Sequence, residues 1–168
     1  MIIQGFEPIS DPDARILILG SMPGIASLEA NQYYGHPRNA FWRIMGDVFG
    51  AGLERPYAER TAILKDQGVA VWDVLKLCHR EGSLDSNIKD EVPNDFAGFF
   101  VQHPRIERVV LNGGKAAKSF EKYVRPLVPS LTVTTAPSTS PAFAAMRYEA
   151  KLDLWRTAII SADQGQGR

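Results

Sequence analysis

The sequence predicts an α/β protein: a three-layer α/β/α sandwich with a short, four-stranded, mostly parallel central sheet. Four apolar runs rich in β-branched residues recur along the 168 residues, at 14–20, 69–75, 106–112 and 131–137. Near-continuous apolar strands are typical of a parallel sheet that is covered on both faces. Helical patterns lie between these runs, and such alternation indicates right-handed βαβ units.

The elements follow in order along the chain. The first strand, ARILILG, leads into a long polar loop, and a helix is predicted from AFWRIMGDVFG. That stretch places Phe41, Ile44 and Val48 on one stripe, and Gly50 stands where a helix ends. In the next helical stretch, RPYAERTAILKDQG, Pro56 suits the first turn.

The second half of the chain repeats this pattern. Asn94 is placed to cap a helix over NDFAGFFVQ, and GKAAKSFEKYV follows the third strand. The stretch YEAKLDLWRTAII closes the domain. We predict one domain over residues 1–160, followed by a flexible, polar, glycine-rich tail at 161–168.

Composition narrows the class of protein. Nineteen Lys and Arg balance nineteen Asp and Glu, so no global positive field attracts nucleic acid, although a local basic patch is sufficient to contact phosphates. The single cysteine, Cys78, excludes an internal disulfide and is typical of a reducing cytoplasm. No Cys/His spacing of a metal site and no membrane-length apolar run is present. We therefore expect a cytoplasmic monomer without a metal or a membrane contact.

The residues that leave the strands are the candidates for function, because ligands in open α/β sheets lie beyond the carboxyl ends of the strands. Gly20, Pro23 and Gly24 form a tight turn whose backbone amides can point at one spot, or they form only a strand-to-loop turn. Asp73 ends a buried strand, where a carboxylate must be paired. It either caps a loop or faces a ligand pocket.

Two further loops carry candidates for binding. Tyr34 can stack on a planar base or simply cover the end of the sheet. Asn39 follows Pro37, which stiffens the loop, and locally Asn39 is best interpreted as a helix cap. The late segment APSTSPAF offers hydroxyl groups that can position a phosphodiester backbone, or it is a surface turn. Arg147, which follows it, is either a source of local positive charge or a solvated helix charge.

Together these motifs resemble a known family. The segments GSMPGIASL, YYGHPRNAFW, VWDVL, GSLDSNI and APSTSPA resemble the uracil-DNA glycosylase superfamily, and within it the hypoxanthine-DNA (deoxyinosine) glycosylase branch. The resemblance runs from about Pro8 to about Ile160. It implies an α/β/α sandwich that flips a damaged base out of DNA and hydrolyses its N-glycosidic bond, leaving an abasic site. It also implies that no metal or organic cofactor is used and that the partner is DNA containing a damaged base.

The resemblance also assigns roles to residues. The catalytic residue it implies is Asn39, supported by His36, and Tyr34 stacks on the flipped base. The base pocket that it implies consists of Gly20, Met22, Pro23, Gly24, Tyr34, Asp73 and Asn112. The residues it assigns to DNA binding lie in the late loop and are Ser138, Thr139, Ser140 and Phe143. Arg147 joins them as a DNA-binding candidate because of its position after that loop. Either Phe143 or Met146 fills the space that the flipped base vacates.

One departure from the family pattern concerns the substrate. Met22 stands where relatives often carry a polar, water-activating residue, which disfavours uracil chemistry from the first motif. An amide can hold a water by donor and acceptor bonds, and this consideration moves the interpretation of Asn39 from cap to catalysis. We expect excision of hypoxanthine. Excision of uracil and a non-catalytic nucleic-acid-binding module remain as alternatives.

Overall fold

The structure, a computed structural model, describes the backbone of residues 1–166 and the side chains of residues 1–160. The strands it contains there are β1 (Ile2–Gln4), β2 (Ile16–Gly20), β3 (Val69–Asp73), β4 (Leu75–His79), β5 (Lys89–Pro93), β6 (Arg108–Asn112) and β7 (Thr132–Ala136). The helices are α1 (Ile25–Ala30), α2 (Phe41–Phe49), α3 (Tyr57–Asp66), α4 (Phe96–Gln102), α5 (Gly114–Tyr123) and α6 (Tyr148–Gln166). Single 3-10 turns cover Asp85–Asn87 and Arg125–Leu127.

The central sheet has four parallel strands in the order β3-β2-β6-β7. In β2, Ile18 pairs with Val71 on one side and with Val110 on the other. All three side chains are fully buried, which requires covering layers on both faces of the sheet. The predicted α/β class with a four-stranded parallel sheet is therefore confirmed.

A second sheet was not predicted. It is antiparallel, in the order β1-β4-β5. The run predicted as one strand over 69–75 ends at Asp73, and β4 begins two residues later at Leu75. This break lies beside the first loop, because the backbone nitrogens of Val74 and Leu75 donate to the carbonyls of Gly20 and Ser21.

The helices differ from prediction mainly at their ends. Helix α2 ends at Gly50 in a left-handed conformation (φ 82°), as expected. Helix α4 is capped by Asp95, which accepts from the backbone nitrogen of Gly98 at 3.0 Å, and not by Asn94. The short helix α1 was not predicted. Helix α6 continues past the predicted domain boundary at 160, and residues 167 and 168 of the predicted tail lie outside the described residues.

Large aromatic side chains fill the space between the sheet and the helices. Trp42, Phe41 and Trp155 are almost completely buried, and Phe41 meets both tryptophans edge to face. These residues join the long loop after β2 to helix α6, and so hold that loop over the end of the sheet. None of the helices in the described part of the chain has the length and apolarity needed to cross a membrane.

Candidate active site

An open cavity of about 590 Å³ lies at the carboxyl ends of the parallel strands. Gly20, Asp73 and Asn112, the last residues of β2, β3 and β6, all line it. The chain passes from β2 to β3 on one side and later to β6 on the other, so the strand order reverses between β2 and β6. Ligands of open α/β sheets bind at such a switch point.

Gly20 allows two polar groups to approach the main chain. A Cβ atom at this position would lie 2.6 Å from Oδ1 of Asp73 and 2.8 Å from the hydroxyl oxygen of Tyr34. Both distances are shorter than the contacts of real Cβ atoms, so any other residue here would displace Asp73 and Tyr34. The carboxyl of Asp73 and the hydroxyl of Tyr34 therefore share one patch of the cavity wall.

The carboxyl of Asp73 is 4% exposed, and its Oδ2 atom has no hydrogen-bond partner in the described part of the chain. Burial, and to a smaller extent the charge of Asp85, raise the pKa of Asp73 from 3.8 to about 7, while Arg80 opposes the shift. Asp73 is thus substantially protonated at neutral pH. A protonated carboxyl offers one donor and one acceptor to a ligand.

Tyr34 has an unusual backbone and a fixed ring. Its φ is 53°, in the left-handed region that tyrosine rarely adopts. Its ring stacks on Phe41 with centroids 4.0 Å apart and planes 23° apart. Burial raises the pKa of its hydroxyl, so this group stays protonated. The ring is held rigidly in the cavity wall before any ligand arrives.

Asn39 is not the N-cap residue of α2, as its local sequence pattern predicts, because that residue is Ala40; Asn39 directly precedes it. Its Oδ1 accepts a 2.9 Å hydrogen bond from the backbone nitrogen of Phe41 at the start of α2. Its Nδ2 makes no hydrogen bond with the described residues, and the side chain lines the cavity. Nearby, Nδ1 of His36 accepts from the backbone nitrogen of Arg38 at 3.0 Å. In neutral His36 the proton is therefore on Nε2.

Asn112 and Thr139 join the end of β6 to the late loop. Nδ2 of Asn112 donates to Oγ1 of Thr139, and the backbone nitrogen of Thr139 donates to Oδ1 of Asn112, both at 3.0 Å. The carbonyl of Thr139 accepts from the backbone nitrogen of Ala40 at 3.0 Å. One buried threonine thus connects the late loop to the end of β6 and to the residue before α2.

The first turn is held by residues that the sequence analysis did not single out. Arg80 is 3% exposed, and its guanidinium donates to the carbonyls of Pro23 and Gly82. The hydroxyl of Ser21 donates to Oδ1 of Asp85 at 2.6 Å. In sequence, Arg80 and Asp85 look like ordinary surface charges. The one signal in the sequence is their position: Arg80 stands just before the motif GSLDSNI, and Asp85 stands within it.

The late loop forms the rim of the cavity. Ser138, Ser140 and Phe143 line it, and the Phe143 ring is 43% exposed. The ammonium of Lys151 donates to the carbonyl of Phe143 at 3.0 Å. Arg147, expected at the DNA, is not among the lining residues. Its side chain is 85% exposed and pairs with Glu149 at 3.4 Å.

The structure brings nearly all predicted site residues together. Met22 is buried in the wall, where its thioether cannot activate a water. The predicted residues that line the cavity are Gly20, Met22, Pro23, Gly24, Tyr34, His36, Asn39, Asp73, Asn112, Ser138, Thr139, Ser140 and Phe143. Among the described residues, no group of three or more His, Cys, Asp or Glu side chains is arranged to hold a metal ion.

Fold and site define the class of protein, and comparison with known families agrees. The chain belongs to the uracil DNA glycosylase superfamily, whose model matches residues 7–161. The family membership predicted from the sequence is thus confirmed.

Particular relatives are more specific. The chain is 43% identical over 116 residues to the hypoxanthine DNA glycosylase of Methanosarcina barkeri, covering 68% of this chain and 73% of the relative. The hypoxanthine DNA glycosylase of Methanosarcina acetivorans is 42% identical over 119 residues, covering 70% and 75%. A solution NMR structure from M. acetivorans, described as a candidate uracil DNA glycosylase, superposes with a TM-score of 0.78 at 36% identity, covering 94% and 99%.

Proposed function

We propose that this chain is a monofunctional DNA glycosylase that flips hypoxanthine out of DNA and hydrolyses its N-glycosidic bond, leaving an abasic site. The observation that carries the proposal is one cavity lined jointly by Tyr34, Asp73 and Asn39 at the switch point of the sheet. Membership of the uracil DNA glycosylase superfamily and the two relatives named hypoxanthine DNA glycosylase support it.

The cavity suits one extruded nucleotide. Its volume of about 590 Å³ lies in the range of small-molecule sites, and it is open to solvent on one side. A base inside a duplex cannot reach such a cavity without leaving the stack, at a cost of a few kcal/mol. Hypoxanthine opposite thymine is mispaired, which lowers that cost and favours its extrusion over that of normal bases.

The polar patch at Gly20 matches the edge of hypoxanthine. The protonated carboxyl of Asp73 presents a donor for the 6-oxo oxygen and an acceptor for the N1–H group. The Tyr34 ring, backed by Phe41, is the stacking surface for the purine. A polar group that reads an edge rejects bases that leave it unpaired far more strongly than an apolar wall does.

Asn39 holds the attacking water. Hydrolysis passes through a sugar with positive charge at C1′, so it needs a positioned water more than a strong nucleophile. The free Nδ2 of Asn39 can donate to the water, while Oδ1 keeps one lone pair beyond the bond to Phe41. His36 stiffens the same loop, since its carbonyl accepts from the backbone nitrogen of Asn39 at 2.9 Å.

The late loop contacts the DNA. Ser138 and Ser140 offer hydroxyls to phosphates at the rim, and the exposed Phe143 ring fills the vacated stack. Arg147 can reach the backbone from the surface, since its side chain is 85% exposed and, within residues 1–160, its one ion pair is with Glu149. We also propose that the enzyme acts as a cytoplasmic monomer, which sedimentation and fractionation experiments test.

Single-turnover incubation with duplexes that carry one deoxyinosine, one uracil or one xanthine tests the proposal. We expect a deoxyinosine-dependent abasic product, visible as strand scission only after alkali. Scission without alkali would contradict the monofunctional assignment. Tight lesion-selective binding with no abasic product would instead favour the non-catalytic alternative.

Uracil is the second candidate substrate, because the superposed M. acetivorans structure is described as a candidate uracil DNA glycosylase. The buried thioether of Met22 argues against it, since the first turn then supplies no side chain to activate water. We expect deoxyinosine to be cleaved faster than uracil in the same duplex context. The reverse order would make uracil the principal substrate.

A further inference from the structure

The segment GSLDSNI forms a wall of the cavity for which the proposed function has no role. Four consecutive residues, Ser83 to Ser86, line the cavity, and a 3-10 turn begins at Asp85. Two hydrogen bonds tie this wall to the first turn. Ser83 accepts from the backbone nitrogen of Ile25 at 2.8 Å, and Asp85 accepts from the hydroxyl of Ser21 at 2.6 Å.

Asp85 places a carboxylate beside the first turn, in which Met22 supplies no polar side chain. Ser21 is adjacent in sequence to Met22, whose side chain cannot contact water productively. Through the Ser21 hydroxyl, the carboxylate of Asp85 is fixed at this turn although it comes from a distant part of the chain. Its Oδ2 atom makes no hydrogen bond or ion pair with the described residues, so it remains available to a ligand.

The charge of Asp85 acts within the cavity. It contributes to the raised pKa of Asp73 and, more weakly, to that of Tyr34. The neighbouring cation, Arg80, is directed to the carbonyls of Pro23 and Gly82 and forms no ion pair with Asp85. The cavity therefore holds one buried carboxyl and one anionic carboxylate at its rim. Paired carboxyl groups in such different environments take different roles in catalysis.

We propose that Asp85 is a catalytic carboxylate that stabilises the positive charge developing on the deoxyribose and takes the proton of the attacking water. The proposal rests on the proposed function. The C1′–N9 bond breaks and the purine keeps its electron pair. The water oxygen bonds to C1′, one water proton passes to Asp85, and the purine takes a proton from solvent. Asp85 then returns its proton to solvent.

The competing interpretation is that Asp85 only anchors the first turn through Ser21. The variant Asp85→Asn separates the two roles, because its side-chain oxygen still accepts from Ser21 while the negative charge is gone. Asp90→Asn is the matched control. It makes the same charge change in β5, five residues further along the chain, but Asp90 lies outside the cavity and, among the residues with described side chains, forms an ion pair with His79 alone, at 3.6 Å.

The experiment measures single-turnover excision of deoxyinosine and, separately, affinity for a duplex that carries a hydrolysis-resistant 2′-fluoro deoxyinosine. We expect Asp85→Asn to lower the excision rate by at least about 100-fold. Its affinity for the resistant duplex should stay equal or rise, because a negative charge near the phosphates is lost. Asp90→Asn should excise within about threefold of the wild type.

Three results would overturn the proposal. One is excision by Asp85→Asn within about threefold of the wild type, and another is a rate loss matched by an equal loss of affinity. If Asp85→Asn melts at a lower temperature, Asp85→Glu restores the charge, and failure of that variant to recover any rate is the third. The proposed function is judged separately, by whether the wild-type chain excises deoxyinosine at all.

Discussion

Asn112 and Thr139 exchange two hydrogen bonds of 3.0 Å, and this pair fixes the late loop to the end of β6. Thr139 is 1% exposed. Thr139→Val keeps the shape but leaves Nδ2 of Asn112 without its partner. We expect the free energy of unfolding to fall by about 1 to 3 kcal/mol in urea titrations. Thr135→Val, the same change at an exposed position of β7, should stay within about 0.5 kcal/mol. Equal effects would contradict the assigned role of the pair.

Gly20→Ala tests the close approach at the cavity wall. The added methyl group would displace Oδ1 of Asp73 and the Tyr34 hydroxyl, which lie 2.6 and 2.8 Å from its position. We expect a stability loss of about 1 to 3 kcal/mol and loss of deoxyinosine excision. At Gly114, which also lines the cavity, a Cβ meets no atom within 4 Å. Gly114→Ala should therefore retain wild-type stability, and similar destabilisation of both variants would count against the contact.

Asn39 needs two substitutions because its Oδ1 accepts from the first residue of α2 and its side chain also lines the cavity. Asn39→Ala removes the bond to Phe41 and should cost about 0.5 to 2 kcal/mol of stability. Asn39→Ser keeps a side-chain oxygen that can accept from the backbone nitrogen of Phe41, so this variant should melt near the wild-type temperature. Both variants lose the amide, so we expect both to excise deoxyinosine at least about 100-fold more slowly in single-turnover assays. If Asn39→Ser excised deoxyinosine at the wild-type rate, the role of Asn39 would be limited to its hydrogen bond at the start of α2.

The raised pKa of Asp73 predicts that the stability of the protein depends on pH. Its pKa rises from 3.8 to about 7 in the folded protein because it is buried, with Asp85 adding to the shift and Arg80 opposing it. The native state thus holds a proton that the unfolded chain has released, and stability falls as pH rises from about 4 to 7. Asp73→Asn does not titrate. By urea titration we expect the variant to match the wild type near pH 3.5.

Above pH 7 the variant should be more stable than the wild type by about 1 to 4 kcal/mol. Other titrating groups are common to both chains, so the difference between the two curves reports Asp73. A difference that does not change with pH would mean that Asp73 is ionised at neutral pH. In that case the protonated carboxyl could not donate to the 6-oxo group of the base.

Many residues of the candidate site could be predicted from the sequence. Strand ends are readable because apolar runs stop at polar or small residues, and parallel topology then gathers those ends on one edge. For this reason the sequence predicts Gly20, Asp73 and Asn112 as members of one pocket, and all three line the cavity. Asn39 was identified by its motif, since its local pattern is equally that of a helix cap.

Other parts depend on contacts that no local pattern encodes. The strand β1 has three residues, and its pairing with β4 joins segments far apart in sequence. Arg80 follows His79 and precedes Glu81, so its sequence is that of a solvated charge although it is buried. Asp85 is held at the cavity by its bond to Ser21, which spans 64 residues.

A substitution of Phe143 tests base extrusion separately from hydrolysis of the glycosidic bond. Its ring is 43% exposed at the rim and leaves the core intact, so Phe143→Ala should melt as the wild type does. We expect slower excision from duplex DNA and little change with single-stranded DNA, which has no stack to fill. Leu127→Ala, at a 51% exposed position outside the cavity, is the control. An equal slowing on both substrates would remove Phe143 from the flipping step.

The hydrogen bond from Arg80 to the carbonyl of Pro23 links the first turn to the smaller sheet, because Arg80 directly follows β4. Arg80 is 3% exposed, so its guanidinium cannot leave this carbonyl without losing a buried partner. We therefore expect heat or denaturant that opens the smaller sheet to free the first turn as well, so that excision and the pairing of β4 are lost together.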